Sequence, residues 1–219
     1  AYHPEWPHII DMAADVLFLK DGLLVDVKQG RSDKASIKQA QVAISSMQEI
    51  DYLQIKGQVA GEIGQILGFM QQTPLHSTFD ALQDVITPAG NTEVALDLQI
   101  PLIDTVDAKV DGTAQLNNAQ LTVNSLDLPV KGISGALKFN EQGLYSDTVH
   151  AAALGHAIRI NMNSDDSQTM INVSGHAGVD DLQAQFKMPW WDIAEGETDY
   201  QLQLRLPYGD NKPDLTVQS

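Results

Sequence analysis

Apolar and polar residues alternate along most of this chain with a period of two. In Gly90–Leu102, GNTEVALDLQIPL, Val94, Leu96, Leu98, Ile100 and Leu102 fall on one face and Glu93, Ala95, Asp97, Gln99 and Pro101 on the other. That is the signature of a half-buried β-strand. The pattern returns at Ala108–Leu116, through Val110, Gly112, Ala114 and Leu116, and at Tyr200–Tyr208, through Leu202, Leu204 and Leu206. Upstream, Lys20-Asp21-Gly22 signals a hairpin, because Asp-Gly tolerates positive φ. Leu23, Val25 and Val27 then alternate with Leu24, Asp26 and Lys28, and a turn is expected at Gly30–Asp33. A strand over about 34–46 slips phase near Gln39, where a β-bulge would keep Ile37 on the face of Ala40, Val42 and Ile44. Residues 52–60 alternate Leu53, Ile55, Gly57 and Val59 with Tyr52, Gln54, Lys56 and Gln58.

The period changes once. Over residues 62–72, Ile63, Ile66, Leu67 and Met70 stand at i, i+3, i+4 and i+7, and Thr73-Pro74 stops the run, which predicts an amphipathic helix. Residues 77–86 repeat the signal more weakly, with Ser77 and Asp80 in capping-box spacing, Phe79, Leu82, Val85 and Ile86 on one side, and Thr87-Pro88 closing it. Strands then resume as far as about Phe186. Turns are expected at Asp111-Gly112, Asn117-Asn118, Lys131-Gly132, Glu141-Gln142-Gly143, Leu154-Gly155 and Ser164–Ser167. The inward residues are Ile133, Leu137 and Phe139, then Ile158, Ile160 and Met162, then Leu182, Ala184, Phe186 and Met188 on a strand over 182–188. Roughly thirteen strands follow from this spacing. The fold class is all-β dominated, a long curled antiparallel meander with one or two short helices. Residues 1–219 read as one segment: a first strand set over 1–60, a helical insert over 61–88 and a second strand set over 89–219.

Composition narrows the chemistry. The formal net charge of −16 lacks the basic patch that a phosphate backbone requires, so nucleic acid is not an expected partner. Without cysteine there is no disulfide, thiolate metal site or thiol nucleophile. The six histidines, at positions 3, 8, 76, 150, 156 and 176, show no metal-ligand spacing and read as surface residues. Asp165-Asp166 and Asp180-Asp181 read as turn carboxylates capping backbone N–H groups. No nucleophile elbow, phosphate loop or ordered triad is present, so no catalytic residue, metal or cofactor is expected. Pro189-Trp190-Trp191 interrupts the strands, and packing of the pair beneath the loop before Tyr200 is the favoured reading.

Several stretches occur in an order that resembles the AsmA-like envelope proteins of Gram-negative bacteria. They are the Trp6-Pro7 entry, DGLLVDV, GQVAGEIGQILGFMQQTPL, PAGNTEVALDLQIPL, DAKVDGTAQLNNAQL, LDLPVKGISGALKFNEQGLYS and AAALGHAIRI. The resemblance covers nearly the whole chain. It implies an excised segment of a longer, inner-membrane-anchored protein, and the opening AYHPEWP also reads as the interior of a longer chain. It further implies a periplasmic location and an open, taco-like β-groove, akin to the bridge-like lipid transfer proteins, along which phospholipid acyl chains pass toward the outer membrane. The implied partners are those acyl chains and, through the parent protein, the inner and outer membranes; the segment itself is taken as monomeric.

The physics of such a groove is simple. Exposing an acyl chain of about 16 carbons to water costs on the order of 12 kcal/mol. A curled sheet that does not close offers a continuous apolar track, because every second side chain points inside. The candidate groove residues are Val94, Leu96, Leu98, Ile100, Leu102, Val110, Leu116, Leu137, Phe139, Ile158, Ile160, Phe186, Leu202, Leu204 and Leu206. Small inward residues, Gly57, Gly112, Ala114, Gly135 and Ala184, are expected to leave the groove wide. The helix over 62–72 is expected to plug the core or to cap a groove mouth. Alternation alone cannot separate a loaded groove from a dry one. The alternative reading is a structural or adhesive β domain with a dry core that binds protein or glycan; a carbohydrate-active β-helix, with paired carboxylates in a cleft, is more remote.

Overall fold

The computed structural model describes residues 9–20, 22–32, 35–45, 52–70, 79, 82, 84–102, 108–186, 195–209 and 212–219. Its thirteen strands are β1 (Ile10–Leu19), β2 (Gly22–Ser32), β3 (Ala35–Ser45), β4 (Tyr52–Glu62), β5 (Ile86–Ala89), β6 (Asn91–Pro101), β7 (Lys109–Val123), β8 (Leu128–Asn140), β9 (Gly143–Ala153), β10 (His156–Ser164), β11 (Gln168–Gly178), β12 (Glu197–Pro207) and β13 (Asp214–Gln218). They form one antiparallel open sheet in which strand order follows chain order, with a single departure. Strand β6 pairs directly with β4, while β5 pairs with the far end of the fifteen-residue β7. Two short α-helices, α1 (Ile63–Met70) and α2 (Val179–Gln185), a 3-10 turn at Asn124–Leu126 and the helical residues Phe79 and Leu82 are also described.

The alternation builds the sheet as expected. Along β6, Val94, Leu98 and Ile100 are buried while Glu93, Ala95 and Gln99 are exposed. The bulge in β3 is present: its register with β4 shifts between Ile37 and Gln39, which returns Ile37 to the face of Ala40, Val42 and Ile44. The β9–β10 hairpin turns through Leu154 and Gly155, both at positive φ. At the next turn the Asp165 carboxylate accepts hydrogen bonds from the backbone N–H groups of Ser167 and Gln168 and from the Ser167 hydroxyl, which hold its pKa below the usual carboxylate value.

The sheet curls enough to bring distant strands together. Leu53 on β4 and Leu206 on β12 belong to one apolar cluster, joined through Ile66 and Met70 of α1, the helical residues Phe79 and Leu82, and Phe139 of β8. A second cluster, around Val149, Ile158 and Ile160, fills the inner face of β7–β11. At one end of β9–β12 a buried hydroxyl chain reinforces the curl. The Leu144 N–H donates to Ser164 Oγ at 2.8 Å, Ser164 Oγ lies 2.8 Å from Thr169 Oγ1, and Thr169 Oγ1 lies 2.9 Å from the Tyr208 hydroxyl. Buried hydroxyls that find each other in this way avoid the desolvation cost of an orphaned group.

Several expectations are corrected. Residues 179–185 are helical where a strand over 182–188 was expected. Both periods fit this stretch, since Val179, Leu182 and Phe186 also repeat at helical spacing. Asp180 and Asp181 decide for the helix, because they lie in its first turn, where carboxylates complement the helix dipole. Ile86 does not close a second helix but opens β5, since the last residues of β7 offer it a ladder. Asp111-Gly112, Asn117-Asn118 and Lys131-Gly132 are not turns; all lie within long strands. Asn118 (φ 55°) and Gly132 (φ 65°) sit where the β7–β8 register shifts, so the turn-forming residues are spent on bulges. Gly30 remains within β2. Trp6-Pro7, Ser77, Asp80, Met188 and Pro189-Trp190-Trp191 lie outside the described residues.

Candidate functional site

The inner faces of β1–β4 and β6 enclose a cavity of about 540 Å³. Leu23, Val25 and Val27 come from β2, Ile37, Ala40, Val42 and Ile44 from β3, Leu53, Ile55 and Val59 from β4, and Val94, Leu96 and Leu98 from β6. Each strand contributes every second residue, as a pleated sheet requires. All lining residues are apolar or glycine. Ile9 and Met12 line the cavity beside β1 and are 38% and 54% exposed, so it opens to solvent at that edge. Ile66, Phe69 and Met70 of α1 also line it, and none of the described residues of β7–β13 does.

Charge is kept off this surface by the same periodicity. Lys56 pairs with Asp97 at 2.8 Å and Lys38 with Glu93 at 2.6 Å; all four residues are out of phase with the lining positions of their strands. Arg31 pairs with Asp11, and Lys28 with Asp26. Such exposed pairs contribute at most about 1 kcal/mol each. Their importance is to leave the inner wall without a polar group.

Of the candidate groove residues, Val94, Leu96 and Leu98 line the cavity. Ile100, Val110, Phe139 and Leu206 are buried in the cluster that contains α1, with Leu137 and Leu204 packed against it. Ile158 and Ile160 are buried in the second cluster, with Leu116 against it. Leu202 is half-buried on β12. Leu102 lies just past the end of β6 and is exposed, because the ladder that would have covered it stops at Pro101. Phe186 caps the end of α2 rather than pointing from a strand, its N–H donating to the Leu182 carbonyl at 2.7 Å. The width expected at Gly112 is occupied by the Phe139 ring, and Ala184 is an exposed helix residue. Most of the cavity wall comes instead from β2–β4, whose alternation carried the same signal as β6.

Two histidines meet at the opposite end of the sheet. His156 Nε2 is 2.9 Å from Asp181 Oδ2, and His176 lies 3.0 Å from Asp199 and 3.1 Å from Glu197. The two rings meet edge to face at 5.4 Å. Asp199 and Glu197 raise the His176 pKa above its ordinary value. Each bond is to a carboxylate on a neighbouring element, an arrangement that ties α2 and the start of β12 to the sheet. Among the described residues no group of three or more His, Asp or Glu side chains is placed to hold a metal ion.

Comparison with known proteins gives this apolar sheet a family. No helix among the described residues is long and apolar enough to cross a membrane. No solved structure matches the chain. The intermembrane phospholipid transporter YhdP of Escherichia coli (strain K12) is 24% identical over 185 residues, which cover 80% of this chain and 14% of that protein. The chain thus spans about one seventh of its relative's length. The family model described as YhdP protein matches residues 1–219, the whole of the sequence, and the chain therefore belongs to the YhdP family.

Proposed function

We propose that this chain is a periplasmic segment of an inner-membrane-anchored phospholipid conduit, in which acyl chains travel along the inner face of β1–β4 and β6 toward the outer membrane. One observation carries the reading: a cavity of about 540 Å³ whose wall has no polar side chain and which opens to water beside Ile9 and Met12. An apolar wall of this kind gains about 0.8 kcal/mol for each methylene it takes from water. The curated relative, named as an intermembrane phospholipid transporter, supports the same ligand. The segment performs no chemistry; its work is to lower the barrier to moving an acyl chain through water.

The dry structural reading is favoured for one half of the molecule only. On β8–β12, Leu144, Val149 and Leu206 are each 1% exposed, and no residue of these strands lines the apolar cavity. The conducting surface is thus the first strand set with β6. Native mass spectrometry of the purified chain, followed by organic extraction, tests the assignment. It is expected to show bound phospholipid. A lipid-free mass that persists after incubation with phospholipid vesicles would contradict it.

A further inference from the structure

We propose that the apolar cavity seats a single acyl chain of about 16 to 18 carbons, and that the second chain of a bound phospholipid stays outside it. The inference rests on the lipid-conduit reading and deepens it by naming what one segment holds.

Volume sets the capacity. A methylene group packed against an apolar wall takes up about as much space as a water molecule in the liquid, roughly 30 Å³, so a cavity of about 540 Å³ holds about eighteen of them. That is one chain of a common membrane phospholipid. A pair of such chains needs nearly twice the room. The cavity opens to solvent beside Ile9 and Met12, and the headgroup and the second chain can leave it there.

The shape of the wall agrees with its volume. Directly paired residues form rows that cross the strands, and Val27, Ala40, Gly57 and Leu96 make one such row on β2, β3, β4 and β6. Its two middle members carry one side-chain carbon between them. The flanking pairs, Ile37 with Val59 and Val42 with Ile55, are β-branched throughout. A trough one row wide thus runs across the strands between two ridges. Glycine is needed at its floor, because a Cβ on Gly57 would lie 3.0 Å from Ala40 Cβ and 3.1 Å from the Gln39 carbonyl oxygen. On β7 the row continues to Gly112, where the Phe139 ring fills the space that a side chain would take, so the row offers no further room there. Width and volume therefore give the same count of one chain.

The test titrates the 219-residue chain with saturated lysophosphatidylglycerols of about 10 to 20 carbons and with dipalmitoyl phosphatidylglycerol, read by native mass spectrometry. Each methylene taken from water strengthens binding about fourfold, so affinity is expected to climb with chain length and level off near 18 carbons. One lipid per protein chain is expected with either lipid, and the diacyl lipid should bind within about tenfold of its 16-carbon monoacyl counterpart. Ala40→Leu puts three more carbons into the trough and should bring the plateau down by about three carbons; Ala40→Val should bring it down by about two. Circular dichroism checks that both variants fold. Two lysolipids per chain, affinity that keeps climbing beyond 18 carbons, a diacyl lipid bound a thousandfold more tightly than its monoacyl counterpart, or a plateau unmoved in the folded variants would each overturn the single seat and leave the conduit reading in place. No binding of any of these lipids would overturn both.

Discussion

Aspartate at Val42 together with aspartate at Ile55 is expected to reduce phospholipid transfer between vesicles by at least a hundredfold without unfolding the chain. Both residues line the cavity from adjacent strands, and they are direct cross-strand partners. Both are only half-buried, so in the lipid-free chain a carboxylate at either site can keep part of its water. Seating an acyl chain against them removes that water, and no cation lines the wall to replace it. An unpaired carboxylate forced out of water costs several kcal/mol. At about 1.4 kcal/mol per decade, that is a loss of two orders of magnitude or more. Gln41→Asp and Gln54→Asp add the same charges one residue away, on the exposed outer face, and should leave transfer unchanged. Circular dichroism separates a blocked groove from a lost fold. Unimpaired transfer by the folded double variant would mean that lipid takes another route.

The second large effect concerns the filled half of the inner face. Gly112→Ala is expected to lower stability by about 3 kcal/mol, because a Cβ there would lie 2.1 Å from Phe139 Cζ and 2.3 Å from its Cε2. The tip of the Phe139 ring occupies the space at the glycine, and this side chain is 5% exposed and meets Phe79 edge to face at 5.6 Å. A methyl group at residue 112 must expel this ring, and with it the contact that holds Phe79 against the sheet. For a chain of this size the loss corresponds to a fall in Tm of roughly 6–12 °C. Phe139→Ala alone should cost about as much, and combining the two should add little, since the second change removes the atom with which the first collides. Additive losses in the double variant, measured by thermal denaturation, would show that Gly112 is required for some reason other than the ring.

Much of the fold was legible because one rule governs it. A period of two, repeated from Leu23 to Leu206, specifies strands with one apolar face, and the phase slip at Gln39 even locates a bulge. Where two rules applied to the same residues, sequence gave no decision. Val179–Phe186 satisfies both the strand and the helix period, and the carboxylates of Asp180 and Asp181 chose the helix. Asn117-Asn118 and Lys131-Gly132 have turn chemistry, but bulges need the same positive φ, and only pairing between β7 and β8 distinguishes the two uses.

The site was less legible than the fold. Alternation identifies an inward face without saying what covers it. Leu98 on β6 and Leu206 on β12 carry equal signals and are buried in one cluster, yet only Leu98 also lines the cavity. The helical stretch covers part of both, since Ile66, Met70, Phe79 and Leu82 share one cluster with Leu53 and Leu98 and with Phe139 and Leu206. A helix period predicts that such residues are buried; it does not tell which part of the sheet they bury. Gly112 shows the same limit, since a small residue makes room without naming its occupant.

Site-specific photo-cross-linking in cells compares the two faces of one strand. A photoreactive residue at Val42 faces the cavity; at Gln41, one position earlier, it faces outward. A groove that carries acyl chains gives a phospholipid adduct at Val42 and none at Gln41. Equal labelling of the two positions, or labelling of neither, would contradict a lipid track on the inner face of this sheet.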